Sequence, residues 1–457
     1  MGLQEALQLA EADREANERE YFEELRIPSM SALSEHRADC RRNCDWLAER
    51  LRALGFEVTI TDVIPGGNPV LQADWRGAGE HAKTVTLYGH YDVQPPDPLE
   101  EWVTPPFEPT VRDGHVFARG CADNKNNHFA ALKAAEYATR SGVGVNIRFL
   151  IEGEEEVSGE ALPTFLAQNA ARLKSDYTLI WDGGFSPDDE PELSTGLRGM
   201  VYTEVHVQGP GIDLHSGAYG GVAPNPNNTL AHIIAGLKDR DGHITVPGYY
   251  DKVRTPDPQE TVDWNRSPAF TEQLLKLTGA KALEGEQDFA PIERTSQRPT
   301  LDVNGMIGGF TGEGSKTVIP ARAMAKISMR LVPDQDPEEV FAAYEQHVKS
   351  LATPGTTVEV KRLGSAKPVL LDYKGRAAQA LRAAYEASFG QRAVLQRSGG
   401  TVPVALPFAE HVGGEIVSSG LSQAGAGPHG PNEHFRLDNL PRGIATLLRF
   451  LFTLSEG

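Results

Sequence analysis

The sequence predicts an α/β domain with a mostly parallel sheet, interrupted by an inserted α+β domain. Three observations predict it. Apolar β-rich runs alternate with helical patterns early in the chain; the middle switches to longer, strictly alternating strands; helical and short apolar runs then return. A length of 457 residues exceeds one compact core and favours roughly two or three domains. The changes of texture fall near 197 and 366. They give a discontinuous domain of 1–197 with 367–457, and an insert of 198–366.

The elements follow in order. Residues 2–26 are polar with an apolar residue every three or four positions, a helical spacing, and the pattern repeats from Ser29 to Leu54 before Gly55 stops it. VTLYG (85–89) is a strand leading into a proline-rich loop and a helix over 125–139. VNIRFLI (145–151) is the next strand, then a helix near 160–173 and the strand YTLIW (177–181). In the insert, MVYTEVHVQG (200–209) alternates like a half-exposed strand, and a helix is expected over 226–238. A Pro- and charge-rich stretch (247–299) precedes the strand ARAMAKISMRLVP (321–333), a helix at 337–351 and the strand TTVEVKRL (356–363). Helices at 374–388 and 441–454 complete the chain, and no repeat of solenoid period is visible.

Composition narrows the function classes. With 44 basic and 63 acidic side chains the formal charge is -19, which argues against a nucleic-acid binder or a protein docked on an anionic membrane. Hydrophobic residues at 40% and charged residues at 23% are ordinary for a globular chain, and no run approaches the ~18 apolar residues of a membrane span. The first residues are charged throughout and lack the apolar stretch of a signal peptide. The three cysteines cannot all pair with one another, so a reducing, cytoplasmic location is expected.

Candidate chemistry lies where the strands end. VTLYG runs into His90 and Asp92, VNIRFLI into Glu152-Gly153-Glu154-Glu155-Glu156, and YTLIW into Asp182. Ligands of open parallel sheets bind at the carboxyl ends of strands, so these groups are expected to converge. Asp123 ends a loop just before a helix, and His429 and His434 lie far downstream in a glycine-rich loop. Taken singly, each also reads as a solvated loop residue or a turn cap; their joint occurrence at strand ends points to a metal site. Imidazole with several carboxylates suits zinc, manganese or cobalt, and a set without sulfur suits a catalytic ion.

The motifs GHYDVQP (89–95), PPFEPTVRDGHVFARGCADNK (105–125), EGEEEVSG (152–159), DLHSGAYGG (213–221), KTVIPA (316–321), MRLVPDQ (329–335), GGTVPV (399–404) and GPHGPNE (427–433) occur in that order. Together they resemble the zinc metallopeptidase family of carnosinase-like cytosolic dipeptidases, glutamate carboxypeptidase, aminoacylase and succinyl-diaminopimelate desuccinylase. The carnosinase-like branch matches best, through GHYDVQP, DLHSGAYGG and RLVPDQ. The resemblance implies a three-layer catalytic domain interrupted by a lid and dimerisation domain. It implies two zinc ions per subunit, with manganese or cobalt as substitutes: His90 and Asp182 on one, Glu156 and His429 on the other, and Asp123 bridging. Asp92 would orient His90, and Glu155 would be the general base toward a metal-bridged hydroxide. The extra Val157 leaves one residue of ambiguity with Glu154 in that assignment.

His215 would stabilise the oxyanion, reaching across from the other subunit of a homodimer as in carnosinase-like relatives. Arg330, Thr317 and the turn Gly399-Gly400-Thr401 would hold the substrate's terminal carboxylate. The implied activity is hydrolysis of dipeptides or short peptides with a free C-terminal carboxylate. Deacylation of N-acyl amino acids is the alternative with the same chemistry, and a non-catalytic binding relative is disfavoured because the base and all ligands are present. Two departures stand out. Asn124 and Asn126 replace the Asp and Gly usual in relatives, and His434 offers a second histidine near His429. His429 is preferred because it precedes the Asn-Glu pair.

Overall fold

The computed structural model describes residues 2–186, 188–258, 260, 269–398 and 404–456. They divide into two compact units. One holds the described residues within Met1–Thr195, Leu371–Gln396 and Pro403–Gly457, the other those within Gly196–Leu370 and Arg397–Val402.

The first unit begins with α1 (Leu3–Ala12), α2 (Arg14–Leu25) and α3 (Arg37–Ala53). The first expected helix is therefore two, and the second starts later than Ser29. Around Pro28 the chain is engaged elsewhere: Met30 bridges to Val93, and the Val93 amide donates to the Ser29 carbonyl at 2.9 Å. Next come β1 (Glu57–Thr61), β2 (Val70–Trp75), β3 (Thr84–His90), α4 (Lys125–Arg140), β4 (Asn146–Glu152), α5 (Ala161–Asn169), β5 (Tyr177–Gly184) and β6 (Glu192–Leu197). The second unit contributes β7 (Gly199–Gln208), α6 (Pro226–Ala235), β8 (Thr300–Gly308), β9 (Arg322–Leu331), α7 (Pro337–Ser350) and β10 (Thr357–Ala366). The chain ends with α8 (Arg376–Phe389), β11 (Glu415–Ser422) and α9 (Asn439–Ser455).

The large sheet has the order β1-β2-β4-β3-β5-β11-β6, and the short strands Val369–Leu370 and Val394–Ser398 pair with β6. The strands β4, β3, β5 and β11 are mutually parallel, as predicted, while β1, β2 and β6 pair antiparallel at the edges. Central parallel strands are covered on both faces, so they read as apolar runs. Every residue of β4 is buried, including Arg148, whose Nε donates to Asp74 on β2 at 2.7 Å. The hairpin of β1 and β2 is absent from the sequence reading. All of β1 is at least partly exposed, so it carries no apolar run.

The second unit is built on an antiparallel sheet of order β8-β9-β7-β10. Burial in β7 and β9 alternates strictly, which produces the sequence alternation. Val201, Val205, Ile327 and Met329 form a separate core with Leu230 and Ile233 of α6 and Val340 and Tyr344 of α7. Helix α7 starts where Asp336 accepts the amides of Glu338 and Glu339, with Pro337 at its first position. The edge strand β8 is mostly exposed and bulged between Val303 and Gly305. Arg397, expected within the catalytic domain's C-terminal part, groups with the second unit, where it pairs with the buried Glu260 at 3.2 Å. Among the described residues no helix is long and apolar enough to cross a membrane.

Candidate metal centre

The parallel register brings the strand ends together, with His90 paired opposite Glu152 and Asp182 on the neighbouring β5. Gly89 permits the close approach of α4 behind them: a Cβ there would meet the His128 Cβ at 2.8 Å and the Asn124 Oδ1 at 3.1 Å. His90 Nε2 lies 3.1 Å from Asp123 Oδ1 and 3.4 Å from Asp182 Oδ1. His429 Nε2 lies 3.1 Å from Asp123 Oδ2 and 3.1 Å from Glu156 Oε2. Two triads result, His90-Asp123-Asp182 and Asp123-Glu156-His429, each with its ligand-capable atoms within 4.8 Å of one another. Asp123 belongs to both and turns one oxygen toward each histidine. The peptide between Asp123 and Asn124 is cis.

Neighbouring groups orient these donors. His90 Nδ1 faces the Asp92 carbonyl oxygen at 3.0 Å and, less closely, the Asp92 carboxylate at 3.4 Å. That carboxylate also accepts the amides of Glu155 at 3.3 Å and Glu156 at 3.2 Å, joining the end of β3 to the turn after β4. Gln94 Nε2 donates to Glu156 Oε2 at 2.9 Å and to its carbonyl oxygen at 3.0 Å. Asn124 Nδ2 donates to the Trp181 carbonyl at 3.1 Å and to the Asp182 carboxylate. Glu154 instead accepts the Asn68 amide at 2.7 Å, and His434 stacks on Phe117 with ring centroids 5.1 Å apart. Neither belongs to the two triads. Gln94, Arg119 and Glu433 stand in the quoted motifs, but the sequence reading gives them no role. Motif membership was the available signal; their bonding partners were not.

The charge balance of the site fits divalent cations. Burial, with the charges of Asp182, Asp123 and Glu156 adding and His90 opposing, pushes the Glu155 carboxyl up to about 8. Burial also raises Asp182, against the pull of His90. Hydrogen bonds to Asp123 and Glu156 raise His429 to about 10. Asp123, Glu155, Glu156 and Asp182 bring four carboxyl groups against two imidazoles, and divalent ions held by the triads would offset both that imbalance and the cost of burial. The donors are imidazole and carboxylate with no thiolate: Cys40, Cys44 and Cys121 are buried and take no part in either triad.

Three of the remaining candidates lie in the second unit. His215 sits in a two-residue strand, Leu214–His215, paired with Val318–Ile319, and its Nδ1 accepts the Gly217 amide at 2.9 Å. Thr317 is beside it, its carbonyl accepting the Ser216 amide at 3.0 Å. Arg330 is on β9, in register with Thr300 and Met200. Gly399, Gly400 and Thr401 lie outside the described residues.

Such donors at parallel strand ends, in a chain whose residues 86–453 match the profile of Peptidase family M20/M25/M40, define a metal-dependent hydrolase. The match spans most of the sequence, and the chain belongs to that family. The Beta-Ala-His dipeptidase of Rattus norvegicus is 28% identical over 444 residues, 94% of this chain and 90% of the relative. The Cys-Gly metallodipeptidase dug1 of Schizosaccharomyces pombe is 28% identical over 445 residues, 94% of each. Among solved structures, the M20 family metallo-carboxypeptidase Sso-CP2 of Sulfolobus solfataricus aligns with a TM-score of 0.82 at 30% identity, over 96% of this chain and 99% of that one. The resemblance to the carnosinase-like branch is borne out by these relatives.

Proposed function

We propose that the chain is a di-zinc dipeptidase cleaving dipeptides or short peptides with a free C-terminal carboxylate. We infer further that it is a cytoplasmic homodimer joined through its inserted domain. The observation that carries the reading is Asp123, one carboxylate turned to both histidines at 3.1 Å. The names of the rat and fission-yeast relatives support the substrate class.

In this reading His90, Asp123 and Asp182 hold one ion, and Asp123, Glu156 and His429 the other. When bound, the ions would polarise the scissile carbonyl and acidify water. Glu155 takes the proton of the attacking water and returns it to the leaving amine, a role supported by its electrostatic interaction with His90, Asp182, Asp123 and Glu156. Asp92 holds the His90 ring and the turn of Glu155 and Glu156 in one arrangement. His215 donates to the developing oxyanion, and Arg330 and Thr317, with Gly399, Gly400 and Thr401, receive the terminal carboxylate. A pocket that ends at the terminal carboxylate would admit no chain beyond it, so in this reading the enzyme is an exopeptidase.

The test is a panel of Cys-Gly, β-Ala-His and other dipeptides beside N-acetyl amino acids, assayed after chelation and after readdition of zinc or manganese. Dipeptide hydrolysis that is lost on chelation and restored by metal is expected. Cleavage of the N-acyl compounds alone would replace the dipeptidase reading with a deacylase.

A further inference from the structure

Two fully buried charges next to the centre have no part in the chemistry above. Arg119 is 1% exposed and Glu433 0%, and Arg119 Nη1 lies 2.7 Å from Glu433 Oε2. A buried ion pair is a weak source of stability, because desolvation cancels most of the attraction. What this one holds is therefore informative. Glu433 Oε1 accepts the amides of Ala122 at 2.7 Å and Asp123 at 3.0 Å. Its Oε2 also accepts the Gly120 amide at 2.8 Å. Three backbone donors of the segment ending in Asp123 thus converge on one carboxylate, and Gly120, at φ +84°, supplies the turn that aims them. The other arm of Arg119, Nη2, donates to the Gly430 carbonyl at 3.1 Å and the Pro95 carbonyl at 3.3 Å. Gly430 follows His429, and Pro95 follows Gln94, which holds Glu156.

We propose that the Arg119–Glu433 pair is the positioning element of the metal centre. It locks the Asp123 segment against the His429 loop and the segment after Asp92, so that one carboxylate can face both histidines. A neutral side chain cannot replace Glu433, because Gln would turn an amide donor toward donors at Gly120 or Ala122. Lys cannot replace the fork of Arg119, because one ammonium does not reach three acceptors in the same plane. The inference rests on the metal reading above.

The test uses Co²⁺ as the probe, on the full chain and on Glu433→Gln and Arg119→Lys, after folding is checked by circular dichroism. Wild type is expected to take up cobalt at both triads with a visible ligand-field spectrum. Glu433→Gln should bind Co²⁺ about 10–100-fold more weakly at one or both sites, with a changed spectrum. Arg119→Lys, the milder change, should weaken binding by a smaller factor and decides the matter if Glu433→Gln does not fold. A variant that folds and binds cobalt with wild-type affinity and spectrum overturns the proposal, whatever its melting temperature. A wild-type chain that takes up no cobalt overturns the metal reading itself, and this inference with it.

Discussion

In the proposed mechanism Asp123 is the smallest unit on which the chemistry depends, because its two oxygens face different imidazoles. Around it, roles divide by geometry rather than by residue type. In the run Glu154-Glu155-Glu156 the last faces His429, the first bonds to Asn68, and Glu155 stands beside both triads. Glu155→Gln should leave metal content unchanged and lower kcat by about 10²–10⁴-fold, checked by metal analysis and steady-state kinetics; wild-type turnover would remove Glu155 as the base. Asn124 replaces an acidic residue of the resembling family and uses its amide to hold Trp181 and Asp182. Asn124→Leu removes the donor shared by the Trp181 carbonyl and the Asp182 carboxylate, at a cost of about 1–3 kcal/mol in urea unfolding of the chelated protein. The residue types were legible in the sequence, since His, Asp and Glu at strand ends announce themselves. Their division of labour came only from the motif resemblance, because residue type alone does not say which carboxylate faces which imidazole.

At the scale of elements, the N-terminal helices connect to the site through buried polar bonds rather than through apolar contact alone. Glu24 of α2 is fully buried and accepts from His128 of α4 at 2.6 Å and from Asn43 of α3 at 2.9 Å. Burial pushes the Glu24 carboxyl up, but the His128 charge and hydrogen bond, with Lys125 and Asn43 adding, hold it below its ordinary value. A carboxyl lowered on folding stabilises above the unfolded glutamate value of about 4.3, and that contribution is lost as pH falls through the lower folded value. Unfolding monitored between pH 6 and pH 3 (a range of about 3 units around these values) should therefore show a steeper acid loss in wild type than in Glu24→Gln. At neutral pH the substitution should cost about 3 kcal/mol, since it strips a buried pair of one partner. The strong helices and the fully buried parallel strands were readable because their periodicity is imposed by burial. The hairpin of β1 and β2, the edge strand β8 and the Gly- and Ser-containing β11 were not, because edge exposure or small residues erase the apolar signature.

At the scale of the molecule, the described residues of this 457-residue chain form two separate cores. The centre assembled from His90, Asp123, Glu156, Asp182 and His429 lies in the first unit, whereas His215, Thr317 and Arg330 belong to the second. The proposed trans role of His215 makes a prediction about assembly. Mixing His215→Ala subunits with Glu155→Gln subunits should restore part of the activity that each has lost, since one site of each hybrid dimer is intact. Confirmed hybrid dimers with no recovery would place His215 in the service of its own subunit. The surplus of acidic groups, -19 formally, far exceeds the few carboxylates of the centre and serves solubility.

The sequence by itself determined the donor types, the alternation that builds a parallel sheet, and the motif order that identifies the family. Those signals are local: a strand end, a period of two or 3.6 residues, a short run. The motif resemblance already paired Glu156 with His429, and only the tertiary structure decided that Glu154 turns to Asn68, that Asp92 clasps the Glu155 turn, and that Glu433 holds the Asp123 segment from 310 residues away. Hydrogen bonds are short and directional, so partners distant in sequence become partners only when folding brings them within about 3 Å.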